Sequence, residues 1–190
     1  MVKSQSKRKI VLGISGSSGA VYAKRLMDKC AHREDVEIHV VMSVNAKTNW
    51  DLELKTFDEK EWPSFKFYDN RDFSAPFASG SARFDTMILC PASMGIIGRL
   101  ASGTSDSLMT RAADVMMKER RKLIIVPRET PYNLIHLQNM QTLTMAGAII
   151  CPASPSFYSK PKDIEALIDT VVDRILDLAN LEIQSFRWGN

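Results

Sequence analysis

Several places in the chain gather residue types suited to gripping a phosphate or moving a proton. The run Gly13-Ile14-Ser15-Gly16-Ser17-Ser18-Gly19 opens a helical pattern. Glycines let backbone approach a ligand closely, and hydroxyls with the free N–H groups of a helix start suit an anion. Its glycines fall three apart, which departs from the G-x-G-x-x-G fingerprint, so one phosphate of a mononucleotide fits better than a pyrophosphate. An ordinary strand-to-helix turn is the plain alternative. The stretch Ser93-Met94-Gly95, with Gly98 and Ser102-Gly103-Thr104, reads as a small polar loop, either a cradle for a flat ring or phosphate or simply a tight bend. Arg111, Asp114 and Lys118 stand at i, i+3 and i+7 on one helix face: a cationic surface with Asp114 orienting its neighbours, or a solvated ladder of ion pairs. Arg128-Glu129 is boxed between Pro127 and Pro131, where a guanidinium can take a phosphate bidentately and a carboxyl can shuttle protons, or the two can form a structural ion pair. Tyr158 offers a phenol in Pro155-Ser156-Phe157-Tyr158. Arg174 interrupts an apolar helix side and needs an anionic partner there, while Glu53 passes for a solvated helix residue.

Other chemistries lack their signatures. His32, His39 and His136 make no metal spacing; there is no nucleophile elbow, no Walker loop and no pair of adjacent aspartates for a magnesium-diphosphate site. Cys30, Cys90 and Cys151, odd in number and far apart, make neither a disulfide framework nor a zinc knuckle, which points to a reducing cytoplasm.

These groups need a scaffold, and the hydropathy pattern supplies one. Apolar runs at Lys9–Ile14, Glu37–Met42, Thr86–Cys90, Leu123–Val126 and Ala148–Cys151 read as strands, three of them closed by Pro91, Pro127 and Pro152. Helical patterns lie between them, at Ala20–Cys30, Ala46–Leu54, Ser107–Arg120 and Ile135–Met145, and a last long helix follows a cap at Asp163. Strands apolar throughout and separated by helices predict a parallel sheet buried on both faces, the doubly wound α/β class. In such sheets the ligand sits beyond the carboxyl ends of the strands, where the candidate residues cluster. The polar segment 56–82, with Pro63 and Pro76, reads as a surface excursion or lid.

With 190 residues the chain is expected to form one domain, 1–190, with a flexible solvated tail at 1–8. A formal charge of +3 and no basic block interleaved with aromatics give no argument for nucleic acid. No apolar run reaches the roughly 18–20 residues that span a bilayer, and the apolar stretch behind the basic start is broken by Gly13, Ser15 and Gly16, unlike a signal peptide.

Gly-Ser-Ser-Gly-Ala-Val-Tyr (16–22), Thr-Arg-Ala-Ala-Asp-Val-Met-Met-Lys-Glu-Arg (110–120), Pro-Arg-Glu-Thr-Pro (127–131), His-Leu-Gln-Asn-Met (136–140) and Phe-Tyr-Ser-Lys-Pro (157–161), in this order, resemble the flavin prenyltransferases of the UbiX family. The resemblance runs from about Lys9 to Trp188. It implies a Rossmann-like, flavodoxin-type fold and a homo-oligomer, typically a dodecamer. It implies reduced FMN and dimethylallyl monophosphate as substrates, joined at N5 and C6 of the flavin without a metal. The product, prenylated FMN, would serve a UbiD-type decarboxylase in quinone synthesis or aromatic-acid breakdown. The same resemblance places FMN against Gly16, Ser17, Ser18, Ser43, Ser93, Met94, Gly95, Ile96 and Arg128. It assigns the donor phosphate to Arg111, Lys118, Arg128, Tyr158 and Arg174, some acting across a subunit boundary. Ser18, Glu53, Lys118 and Glu129 match catalytic positions, Glu129 as the acid/base for phosphate release, and Trp188 in the tail 183–190 matches an aromatic that closes the site. The chain stops at Asn190 where relatives often run on, and Met94-Gly95 replaces a more polar pair found in some members. A non-catalytic FMN-binding subunit of an aromatic-acid decarboxylase and a flavin-dependent cysteine decarboxylase are the alternatives; the second lacks its Pro-x-Met-Asn segment here.

Overall fold

The computed structural model describes residues 7–187 and 189. In chain order it has β1 (Arg8–Ile14), α1 (Ala20–Cys30), β2 (Val36–Met42), α2 (Val44–Glu53), β3 (Lys66–Tyr68), β4 (Thr86–Ala92), α3 (Met94–Ala101), α4 (Leu108–Lys118), β5 (Lys122–Pro127), α5 (Leu134–Met145), β6 (Ile149–Ile150) and α6 (Ile164–Leu178). All strand pairs are parallel, in the order β3-β2-β1-β4-β5-β6. Without the three-residue edge strand β3, the remaining five follow the flavodoxin order 2-1-3-4-5; β3 extends it to the longer doubly wound order. Either way the winding reverses between β1 and β4, which opens a crevice at their carboxyl ends.

Alternation along each strand sends side chains to two cores. Ile10, Leu12 and Ile14 of β1, with Ile88, Ile124 and Val126, pack against Leu26 and Met27 of α1 and Val172 and Ile175 of α6. Val11, Met87, Leu89, Leu123 and Ile125 face the other way, against Ile97 and Leu100 of α3 and Met109, Ala112 and Met116 of α4. Each fully buried aliphatic side chain contributes roughly 1.5–3 kcal/mol over the exposed state. The helices that carry the candidate residues are therefore fixed by packing, and their starts by Ser43, Ser93, Ser107, Asn133 and Asp163, each of which caps the helix after it.

The structure corrects four expectations. Pro91 does not end its strand: β4 runs on to Ala92, and the register against β5 shifts between Leu89 and Ala92. A proline fits a central strand only at such an irregularity, where no ladder hydrogen bond is lost. The polar loop expected at 93–104 begins with α3, because Ile96, Ile97 and Leu100 supply one apolar face and Ser93 caps the helix despite Gly95 and Gly98. The segment 56–82 is no detached excursion: it adds β3 to the sheet and buries Trp62 and Phe65 in one core and Ala75 and Phe77 in the other. The expected tail does not reach residue 8, since Arg8 already pairs with Val36 of β2; residues 1–6 lie outside the described set.

Candidate active site

At the β1–β4 divergence, buried Ser15 ties the two strand ends together. Its Oγ donates to the Pro91 carbonyl at 2.9 Å and accepts from the Ser93 N–H at 2.8 Å. The sequence reading passed over Ser15, although a hydroxyl at the end of an otherwise apolar buried strand is the signal that marks it. The turn behind it lies close to α2: a Cβ on Gly16 would sit 2.4 Å from Asn45 Cβ, so only glycine fits. Gly19 holds φ +112°, the left-handed region that glycine adopts without strain. Ser17 Oγ is buried and has no hydrogen-bond partner among the described residues. Leaving such a group unsatisfied costs about 1–3 kcal/mol, so this hydroxyl fits a ligand oxygen.

Glu53, the last residue of α2, closes the turn from the side. Its Oε2 accepts from Gly19 N–H at 2.8 Å and Ala20 N–H at 2.8 Å, and its Oε1 from Gly19 N–H at 3.1 Å. Gly19 has no side chain to cap α1, so the carboxylate satisfies those donors and faces the positive end of the helix dipole. Opposite, the Arg128 Nε donates to the Ser18 carbonyl at 2.8 Å, and a Cβ on Gly19 would touch the Arg128 side chain at 3.5 Å. Glu129 does not pair with Arg128 among the described residues; its Oε1 accepts from Thr130 N–H at 3.0 Å. The structural ion pair is thus not formed, and both groups stand at the carboxyl end of β5. Ser43 and Ser93 sit at the neighbouring strand ends, accepting from Ala46 N–H and Ile96 N–H at 3.1 and 3.4 Å. Met94 and Ile96 are buried beside them, while Gly95 and Ser18 are exposed. Burial pushes the Tyr22 phenol above its usual range, nearby Cys90 adds to that, and Arg128 opposes it.

Further along the same edge, a groove of about 1050 Å³ runs between the segment after β6, α6 and residues 184–187. Tyr158, Arg174, Asp177 and Arg187 line it, together with Cys151, whose thiol is pushed up by burial and pulled back by Arg174. Arg174 finds the anionic partner it needed in Asp177, at 2.7 Å.

Arg111 and Lys118 stand on α4, a different element from those that carry the edge group. On α4, Arg111 pairs with Asp114 at 3.5 Å and Lys118 with Glu119 at 3.5 Å. Lys118 ends α4, ahead of the start of β5, whereas Arg128 follows the far end of that strand. One chain thus carries these cations on separate elements, with Lys118 at the opposite end of β5 from Arg128. Trp188 lies outside the described residues. Among the described residues, no group of three or more His, Cys, Asp or Glu side chains is placed to hold a metal.

The flavoprotein family model matches residues 2–176. A UbiX flavin prenyltransferase of Methanocaldococcus jannaschii is 42% identical over 187 residues, covering 95% of this chain and 98% of its own. The chain belongs to the flavin prenyltransferase family. The flavin prenyltransferase LpdB of Lactiplantibacillus plantarum is likewise 42% identical over 181 residues, covering 95% of this chain and 97% of its own. Among solved flavin prenyltransferase relatives, a UbiX protein in complex with FMN and dimethylallyl pyrophosphate superposes with TM-score 0.89 at 40% identity, covering 96% of this chain and 99% of its own. A dodecameric, FMN-dependent UbiX-like decarboxylase of Escherichia coli gives TM-score 0.91 at 37% identity, covering 96% and 100%. An FMN-dependent cysteine decarboxylase matches at 18% identity and TM-score 0.62, which is likeness of fold alone.

Proposed function

We propose that the chain joins a dimethylallyl group from dimethylallyl monophosphate to reduced FMN, giving prenylated FMN for a UbiD-type decarboxylase. The observation that carries this reading is the meeting of Glu53, Arg128 and the unpartnered Ser17 hydroxyl on one glycine turn, in a chain that matches the family over nearly its whole length. FMN is held in this reading by Gly16, Ser17, Ser18, Ser43, the Ser93–Ile96 start of α3 and Arg128. When bound and reduced, it supplies the nucleophilic ring atoms that accept the allyl group. Breaking the allylic C–O bond puts charge on the departing phosphate, and Arg128, Arg174 and Tyr158 from the sheet edge stabilise it, with Arg111 and Lys118. Because Lys118 ends α4 at the opposite end of β5 from Arg128, we place Arg111 and Lys118 in the site of a neighbouring subunit. Glu129, freed from any ion pair with Arg128, stands at the end of β5 to pass a proton to the leaving group, and Glu53 holds the turn against the reacting centre.

The surface of α5 supports the reading. α5 exposes Leu134, Ile135, Leu137 and Met145 and buries only Leu143, an apolar surface of the kind that copies of a chain cover for one another. We take the oligomer to be a dodecamer, as in the E. coli relative. No helix among the described residues is long and apolar enough to cross a membrane. We place the enzyme in the cytoplasm, where thiols such as Cys30 stay reduced; burial pushes that thiol up to about 11. Incubating the protein with FMN, a reductant and dimethylallyl monophosphate without oxygen tests the proposal. A flavin heavier by one C5 unit is expected. Unaltered FMN would leave the carrier-subunit reading, which the relatives named decarboxylases favour.

A further inference from the structure

The groove beside α6 contains a contact that phosphate binding alone does not call for. Asp177 accepts from two arginines at once: Oδ2 from Arg174 Nη1 at 2.7 Å and Oδ1 from Arg187 Nη2 at 3.1 Å. The Asp177 side chain is 31% exposed, against 60% for Arg174 and 53% for Arg187, so the carboxylate is the sheltered hub of the three. The other two groove carboxylates of α6 are engaged from behind: Asp169 by Arg25 and Lys29, Asp173 by Lys29. Asp177 is therefore the carboxylate that holds both groove arginines. Each guanidinium carries five N–H donors and gives one to Asp177, which leaves donors on both for a phosphate. Arg187 also lies in the segment after α6, nine residues beyond its end at Leu178, so the same carboxylate fastens that segment to the helix.

We propose that Asp177 is a positioning residue for prenyl transfer: it fixes Arg174 toward the groove and, through Arg187, holds residues 183–187 across it, so that the donor phosphate meets two pre-oriented guanidiniums. This rests on the prenyl-transfer reading. A long exposed arginine gives up rotamer freedom when it grips a ligand, and a carboxylate that has already ordered it removes part of that cost. The consequence falls on donor binding, because FMN is assigned to the glycine turn at the other end of the edge.

Steady-state prenyl transfer by the full-length oligomer, with FMN saturating and dimethylallyl monophosphate varied, tests this in Asp177→Asn, Arg187→Ala and the double variant. Each single variant is expected to raise the donor KM by roughly five- to tenfold with kcat within about twofold, and the double variant to be no worse than Asp177→Asn, as for two residues acting through one contact. Asp177→Glu should restore most of the affinity, and FMN affinity should not move. A donor KM at the wild-type value, additive effects in the double variant, or an equal loss of FMN affinity overturns the assignment. Should Asp177→Asn fail to fold, Arg187→Ala on the exposed segment decides by itself. Wild-type protein that forms no C5 adduct would instead overturn the functional reading.

Discussion

Glu53 and Lys118 are the residues at which the chemistry is most open to test. The Glu53 carboxylate takes the place of a helix cap for α1, accepting three hydrogen bonds from Gly19 and Ala20. Glu53→Gln keeps the shape but removes the charge at the helix start, an effect of about 0.5–1 kcal/mol. The melting temperature is expected to fall by about 1–4 °C by calorimetry, with a larger loss of prenyl transfer. A variant that melts normally and turns over normally would remove Glu53 from the account. Among the described residues Lys118 pairs only with Glu119, so Lys118→Ala should fold and bind FMN as the wild type does. Its single-turnover transfer is expected to drop by about 10²–10³-fold, the usual cost of one lost donor to developing negative charge. Flavin titration and rapid-quench kinetics measure the two halves, and unchanged turnover contradicts the phosphate role.

Most helices and strands were legible because their apolar residues keep a period. α1 and α6 carry continuous stripes, and β1 and β5 are apolar on both faces because helices cover both faces of the sheet, while β2 keeps Glu37 and His39 on one face. α3 was hidden by two glycines and a flanking cluster of small polar residues, and β3 by its length of three residues. The 56–82 segment was hidden because Trp62, Phe65 and Phe77 anchor it at irregular spacing, which no periodic template detects. Phe77→Ala is expected to destabilise the fold by about 3–5 kcal/mol, read from urea unfolding, whereas a detached lid would lose almost nothing. A second test comes from His39, packed against Tyr68, Phe77 and Phe84, with Nδ1 and Nε2 at 2.9 Å from Tyr68 and Glu37. Burial lowers its pKa below 6.5, against the pull of Glu37, so the unfolded chain takes the proton first. The stability it lends is whole above 6.5 and is lost as pH falls through that value toward the folded one. Glu37, held at about 2 chiefly by its hydrogen bond from Lys66, adds stability above 4.5 that fades on further acidification. Urea midpoints should drop from about pH 7 to about pH 5, and His39→Gln should flatten that part of the curve. Equal wild-type midpoints at both ends contradict the burial argument.

For the whole molecule, the proposed chemistry rests on cations of different subunits meeting at one phosphate. Spacing places Arg111 and Lys118 on one helix face and motif order places Arg128 and Arg174 elsewhere; in the proposed assembly the two sets meet across a subunit boundary, which leaves no period in the sequence. If the exposed apolar α5 surface is the proposed subunit interface, Leu134→Glu with Ile135→Glu should lower the oligomer mass by light scattering and abolish prenyl transfer while FMN still binds. An intact oligomer in that variant would move the interface elsewhere. The most direct test of the shared phosphate site is a mixed oligomer of Lys118→Ala and Arg174→Ala subunits, each inactive alone. Random co-assembly should restore transfer at about a quarter of the sites, those built from an intact Lys118 of one subunit and an intact Arg174 of another. No recovery in verified mixed oligomers would mean that each chain builds its phosphate site alone, contrary to the account.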